Sequence, residues 1–466
     1  MHTDDSLRSA LAQTLQYKLE NFPLTYLGLP LSLSKLRTCD LQPTIAKADK
    51  FLAGWQAKLL SYAERIILVN AVLDSLPIYA MAASKLPKGS IEAFDKKRRS
   101  FLWSGEDSCS GAKCLVAWKD VCTPKQSGGL GIKNMELQNN ALLIKRLNHL
   151  HSTPSSWANW IWQEFEDSSI FTDKRLGPHW DSLMPLMPEL QKLSSVQIGN
   201  GKRSSFWLDM WSDEGILAEK FQPLFSHALD QSATVAQVCN GAFSEHFAPR
   251  LSSASQAQVD ELLMIRQNTC LNSEQDSRVA RGTTRILRTK EIYQALSANN
   301  VCPNWLFVWR NRAPPKAQFF AWLLSKERLP TKANLCKKGI VQSALCPICL
   351  SAEETAAHLS FLYPFATAFW NQLEIPQTIN STSDLHALRP NGRLPTKHFK
   401  VFFLLCLWGF WNHRHDVVFR GEPPSLHRLV ARCIEDATLW AERLICADRI
   451  VVESWKQILS SPLHTM

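Results

Sequence analysis

What this sequence lacks narrows its reading first. No apolar run is long enough to cross a bilayer. The longest, "VFFLLCLWGFW" at 401–411, is about half of the ~20 residues a span needs, so it reads as a buried helix in a soluble chain. The polar start "MHTDDSLRSALAQTLQ" lacks the basic-then-apolar order of a secretion leader. Its 13 cysteines are odd in number and mostly without pattern, which argues for free thiols in a reducing, intracellular compartment. Charge of one sign is only mildly in excess: 52 Lys and Arg against 42 Asp and Glu give +10 and a pI near 9.0. That balance favours polyanionic partners, but weakly over this length. Nothing marks a small-molecule substrate.

What is present is ordinary globular chemistry. Hydrophobic residues are 45% and charged residues 20%, which excludes a disordered chain. The 466 residues suffice for two to four domains. Its 17 tryptophans must be buried or offered for stacking.

The first hundred residues read as helices. Ile45, Ala48, Leu52, Trp55 and Leu59 recur at three- and four-residue spacing. Ser61 and Glu64 make a capping box for a helix running through Ile66, Val69, Val72 and Leu73. A further helix over "SIEAFDKKRRSFLW" turns Ile91, Phe94, Phe101 and Leu102 inward. Its run Lys96-Lys97-Arg98-Arg99 reads as a solvated face rather than a phosphate contact. "PKQSGGLGI" at 124–132 has glycines but no Gly-Lys-Ser/Thr ending, so it reads as a turn leading into the helix "NMELQNNALLIKRLNHL". In the middle region, the Gly-Asn-Gly of "VQIGNGKRSSFWLDMW" predicts a β-hairpin near 196–211. "SSASQAQVDELL" starts a helix, and polar "NSEQDSRVARGTTR" at 272–285 reads as an interdomain loop.

From residue 303 a helix begins near Pro315, packs Phe319, Phe320, Trp322 and Leu323, and ends before Pro330. Thr331 then caps a short helix that Gly339 closes. Between Arg310 and Lys338 there are eight basic residues against one acid, Glu327. Arg310, Arg312, Lys316, Lys332, Lys337 and Lys338 are therefore candidate contacts to a nucleic-acid backbone, and a core with a solvated rim fits the same pattern.

The densest motif is "CPICLSAEETAAHLSFLYPF" at 346–365. Cys346 and Cys349 form a C-x2-C knuckle. Ser351 and Glu354 read as a capping box that starts a helix near Ala352, with His358 in its second turn. Two thiolates and an imidazole so spaced suit zinc, which as a structural ion is almost always four-coordinate. Tyr363 stands where a fourth ligand could follow, and a neutral phenol is a poor one; Cys336, the nearest spare thiol, belongs to the preceding helix. Three readings stay open: a zinc site completed by water or an improvised ligand, a decayed site that folds without metal, and a redox pair lacking the strand-then-helix context it needs.

"FPLTYLGLPLS", "LAGWQAKLLSYAERIILVNAVLDSLPIYAM", "FLWSG", "CLVAWKDVCTPKQSGGLGI" and "IGNGKRSSFWLDMW" follow in an order that resembles the region downstream of the polymerase palm in plant LINE-type (non-LTR) retrotransposon reverse transcriptases. "WRNRAPPKAQFFAWLLSKERLPTKANL" with Cys346, Cys349 and His358 resembles that family's zinc-binding domain, and "LWGFWNHRHDVVFRG" the helices after it. The resemblance implies a mainly α, multi-domain chain. It comprises a thumb- or connection-like helical region at 1–150, a small α/β middle region at 151–285, a zinc-knuckle domain at 286–375 and C-terminal helices at 395–466. It also implies zinc as cofactor, RNA or DNA backbone as partner, and the nucleus, with the cytoplasm the other intracellular choice. In the family a cysteine usually stands at the position of Tyr363. Polymerase chemistry needs paired aspartates that hold two metal ions. Asp4-Asp5 lies too close to Tyr26 and has no strand around it, so no catalytic residue is assigned. The expectation is a remnant that binds nucleic acid without polymerising it; the alternative is a helical interaction protein with no nucleic-acid role.

Overall fold

The structure, a computed structural model, describes residues 4–16, 18, 22–32, 34–54, 59–106, 108–152, 155–164, 177–297, 301–375, 382–390 and 393–461. The chain forms two compact units, each built from three stretches: 1–48, 74–94 and 135–297 in one, 49–73, 95–134 and 298–466 in the other. Residues 1–150 thus contribute to both. Helices dominate, and the strands among the described residues form two two-stranded sheets. The mainly α, multi-domain expectation is met.

In the first unit, the Met135–Ser152 helix is buried on several sides: Ala141, Leu143, Ile144, Leu147 and Leu150 all lie in one core. Buried Asn139 is fully used: its Nδ2 donates to the carbonyls of Met81 (2.8 Å) and Ser84 (3.0 Å), and its Oδ1 accepts from Leu86 N at 2.8 Å. The amide thereby pins the end of the Ile78–Ala83 helix without leaving a buried polar atom unmet. A second core gathers Phe206, Trp207, Phe221, Leu224 and Leu262. Leu262 comes from the Ser253–Gln267 helix, capped by Ser252 where the serine-rich break placed its start.

The predicted hairpin near 196–211 is corrected. Strand β1 (Ser194–Gln197) pairs instead with β2 (Ser277–Ala280), antiparallel, from Ser194 opposite Ala280 to Gln197 opposite Ser277. Toward 211 it makes one bond, Val196 N to Met210 O at 2.8 Å. The glycine turn serves another purpose. It wraps the buried Asp276 carboxylate, which accepts from Gly199 N and Gly201 N (both 2.8 Å), Arg203 N (3.0 Å) and Ser204 Oγ (2.8 Å). Gly201 has φ +69°, and a Cβ on Gly199 would lie 2.3 Å from the Glu274 carbonyl oxygen. The interdomain-loop reading of 272–285 is corrected in part: its ends are exposed and irregular, but the segment lies inside the first unit and holds β2, where Asp276 and Arg278 are buried and paired. Arg278 meets Asp209 at 2.8 Å, and its Nη1 donates to Ser194 Oγ at 3.0 Å.

In the second unit, the Tyr62–Leu68 helix starts with the expected capping box: Ser61 N donates to Glu64 Oε2 at 2.7 Å, and Glu64 N to Ser61 Oγ at 3.4 Å. Tyr62 stacks on Phe319 at 5.0 Å. Trp322, fully buried in the Pro315–Ser325 helix, donates its indole N–H to Gly128 O at 2.9 Å. Gly128 belongs to the turn at 124–132, with φ +94°, as its reading as a turn requires. Thr331 caps the Lys332–Lys337 helix through Asn334 N (3.4 Å), and Gly339 follows with φ +68°. The Phe399–Arg420 helix buries nearly every residue from Val401 to Phe410. Among the described residues no helix is long and apolar enough to cross a membrane.

Two details differ from the helical pattern. Leu59 is exposed, while Trp55 lies outside the described residues. Arg98 does not sit on a solvated face: it is buried, pairs with Asp95, donates to Lys133 O at 2.7 Å and lies 5.3 Å from the Trp118 ring centre. A guanidinium can go inside where a carboxylate, a carbonyl and an aromatic face replace its water.

Candidate metal centre and basic surface

The knuckle is closed by backbone bonds. Cys346 N donates to Ala352 O at 2.8 Å, Glu354 N to Ala344 O at 2.8 Å, and Leu350 N back to Cys346 O at 3.0 Å, with Leu350 at φ +55°. The helix that follows begins at Ala356 rather than Ala352. Thr355 is its cap, its Oγ1 accepting from His358 N at 3.0 Å, so His358 falls in the first turn. The capping-box reading of Glu354 is overturned because a stronger partner takes that side chain. Arg414, from the Phe399–Arg420 helix, donates Nε to Oε1 and Nη2 to Oε2, both at 2.9 Å. Lys332 N adds a bond of 2.6 Å to Oε2. One buried carboxylate thereby ties the knuckle to two other helices.

His358 opens a single π turn, His358–Leu362, that ends at Tyr363. Cys346 Sγ, Cys349 Sγ and a His358 ring nitrogen all lie within 4.8 Å of one another, and Cys349 Sγ is 3.3 Å from His358 Nε2. Cys346 and His358 are buried, and Cys349 is half-buried. Burial pushes the Cys349 thiol up, but hydrogen bonds from the Ser351 side chain and the backbone at Ser351 and Ala352 outweigh it, bringing the thiol down to about 6. Cys346 is raised, chiefly by burial. The donor chemistry fits zinc: two sulfurs and one imidazole nitrogen converge, with the thiolate form favoured at Cys349. Cys336 is not part of the cluster; its Sγ faces Gln342 O at 3.8 Å.

Tyr363 is buried, with its ring 5.8 Å from that of His358. Burial, then the thiols of Cys346 and Cys349, hold its phenol well above the usual range. Behind it Tyr363 stacks on Phe365, and Phe365 on His413. The side chain therefore closes the site with aromatic surface while remaining neutral.

The six candidate basic residues separate. Arg310 and Arg312 are exposed and line one cleft together with Lys400. Lys316 is exposed, and its charge is felt by Glu64 and Asp436. Lys332 is half-buried beside Glu354. Lys337 and Lys338 are exposed at and just past the end of the Lys332–Lys337 helix. Lys400 had no place in the sequence reading, since "HFKVFFLLCLW" reads as a buried helix and its first turn looks like the rest.

Residues 288–370 match the family model for zinc-binding in reverse transcriptase. That stretch, which holds Cys346, Cys349 and His358, is thus similar to the zinc-binding region of reverse transcriptases. An Arabidopsis thaliana protein that carries the name of a ribonuclease H protein is 23% identical over 369 residues, covering 75% of this chain and 58% of its own length. An uncharacterized mitochondrial protein of the same plant is 28% identical over 145 residues, 29% of this chain and 92% of its own. The chain spans little more than half of the first relative.

Proposed function

We propose that these residues act as the zinc-bearing, nucleic-acid-binding region that follows the polymerase palm in LINE-type reverse transcriptases, holding template or target backbone rather than transferring phosphoryl groups. The carrying observation is the convergence of Cys346, Cys349 and His358 inside the stretch that matches the zinc-binding domain. Zinc at those three residues fixes the knuckle, and Glu354 passes that rigidity to the Arg414 helix and to the start of the Lys332–Lys337 helix. The fourth position falls to water, because a neutral phenol is a poor donor. Exposed Arg310, Arg312, Lys316, Lys337 and Lys338 supply phosphate contacts. Where the protein works in the cell follows from this reading: the nucleus, where such elements integrate.

The test is binding of a labelled single-stranded 20-mer, as RNA and as DNA, across a salt series. A log–log salt slope of several units in magnitude supports the reading. A folded protein that binds neither strand at low salt sinks it and favours the helical interaction protein.

A further inference from the structure

One cleft in the second unit collects positive charge without an acid to answer it. Its walls are the chain from Trp309 to Arg312, which ends the Pro303–Trp309 helix, and the chain from Thr396 to Val401, which begins the Phe399–Arg420 helix. Its volume is about 510 Å³, inside the roughly 300–1,000 Å³ range of ligand sites and so suited to a nucleotide unit rather than a bare ion. Arg310, Arg312 and Lys400 line it; all three are exposed, and none takes part in an ion pair among the described residues. The nearby carboxylate, Asp448, is already held by Lys397 at 2.6 Å and His398 at 2.8 Å.

Two more features favour an anion there. His398, the residue before the 22-residue helix, sits at φ +60° and gives the helix start no side-chain cap. The positive end of that long helix therefore lies beside the three cations, its Phe399 N bonded to Thr396 O (3.3 Å) and its Val401 N to His398 O (2.9 Å). Trp309, another lining residue, has a buried indole N–H with no acceptor among the described residues.

We propose that this cleft seats a phosphodiester of a nucleic-acid strand, gripped by Arg310, Arg312 and Lys400. The assignment rests on the nucleic-acid reading above and adds which residues carry the contact, bringing in Lys400 from a different helix. Arg310 and Arg312 form the two-donor forks that suit phosphate oxygens, and Lys400 supplies a point charge.

The full chain tests it with a labelled single-stranded 20-mer. The triple variant Arg310→Gln, Arg312→Gln, Lys400→Gln is compared with the charge-matched Lys202→Gln, Arg250→Gln, Lys290→Gln; circular dichroism confirms that both are folded. The expected result is at least a tenfold loss of affinity in the cleft variant, with the salt slope smaller by about 0.7 in magnitude, the value for one phosphate contact on a single strand. The control is expected to lose less than threefold. Equal losses in the two variants would show a diffuse field and overturn the proposal, as would no loss in the cleft variant; in both cases the nucleic-acid reading itself would stand. A wild-type chain that does not bind the 20-mer would overturn both. Inorganic phosphate is the competing probe: displacement no better than by chloride at equal ionic strength supports a strand contact, and displacement far below that strength overturns it in favour of a free-phosphate site.

Discussion

Glu354 and Arg414, 60 residues apart, meet side-on inside the second unit, with both bonds 2.9 Å long and both side chains buried. Such a pair is costly to break from one side, because the survivor keeps its charge without water. Glu354→Ala is expected to destabilise the chain by about 3–5 kcal/mol, read by guanidinium denaturation. The double variant Glu354→Leu, Arg414→Met is expected to recover most of that loss. A cost below about 1 kcal/mol for Glu354→Ala would contradict the structure around the knuckle.

Asp276 plays a comparable part in the first unit, accepting four hydrogen bonds from the glycine turn and its neighbours. Asp276→Ala leaves those donors unmet and is expected to cost about 3 kcal/mol or more. Gly199→Ala should be similarly harmful, since its Cβ would press into the Glu274 backbone, whereas Gly282→Ala, with open space around it, pays only backbone strain of about 1 kcal/mol. Thermal melts that rank Gly282→Ala as the worse of the two glycine variants would refute this account of the turn.

His151 makes stability depend on pH. Burial first, then the positive charges of Arg278 and Arg203, hold its imidazole well below the ordinary 6.5. As pH falls, the unfolded chain takes up the proton before the folded one. The contribution is whole above about 6.5 and is lost as pH drops toward the folded value, by up to about 1.4 kcal/mol per pH unit. Between pH 7.5 and 5.5 the melting temperature should fall more steeply for the wild type than for His151→Asn and His151→Phe. Identical slopes in all three would remove His151 from the acid sensitivity.

Local signals read well where they were self-contained. The Ser61–Glu64 box, the Thr331 cap, the Gly339 stop and the buried 401–411 helix each depend on neighbours in sequence, and each is present. Cys346, Cys349 and His358 were legible for the same reason. Long-range partners were not. Glu354 looks like a capping residue until Arg414 is known, and the Gly-Asn-Gly turn looks like a hairpin until Asp276 arrives from 75 residues further on. Within polar 272–285 the strand Ser277–Ala280 was hidden between exposed, irregular ends, because buried Asp276 and Arg278 share an alphabet with their solvated neighbours. Lys400 was hidden in an apolar run whose first turn alone reaches solvent.

Tyr363 separates two ways of completing the metal site. With water in the fourth position, Tyr363→Phe keeps the ring against His358 and is expected to change zinc affinity by less than about threefold. A ligand loss would be larger, since even changes to residues that only orient a ligand commonly cost about 10–100-fold. A competition titration against a chromogenic chelator reads the difference, and a loss above tenfold would make the phenol a ligand.

The central claim is tested most directly by metal content of the purified full chain, measured by mass spectrometry beside Cys346→Ser and His358→Ala. The account predicts one zinc per wild-type chain and loss of that zinc in both variants. A folded wild type without zinc, or variants that keep it, would contradict the assignment of Cys346, Cys349 and His358 as its ligands.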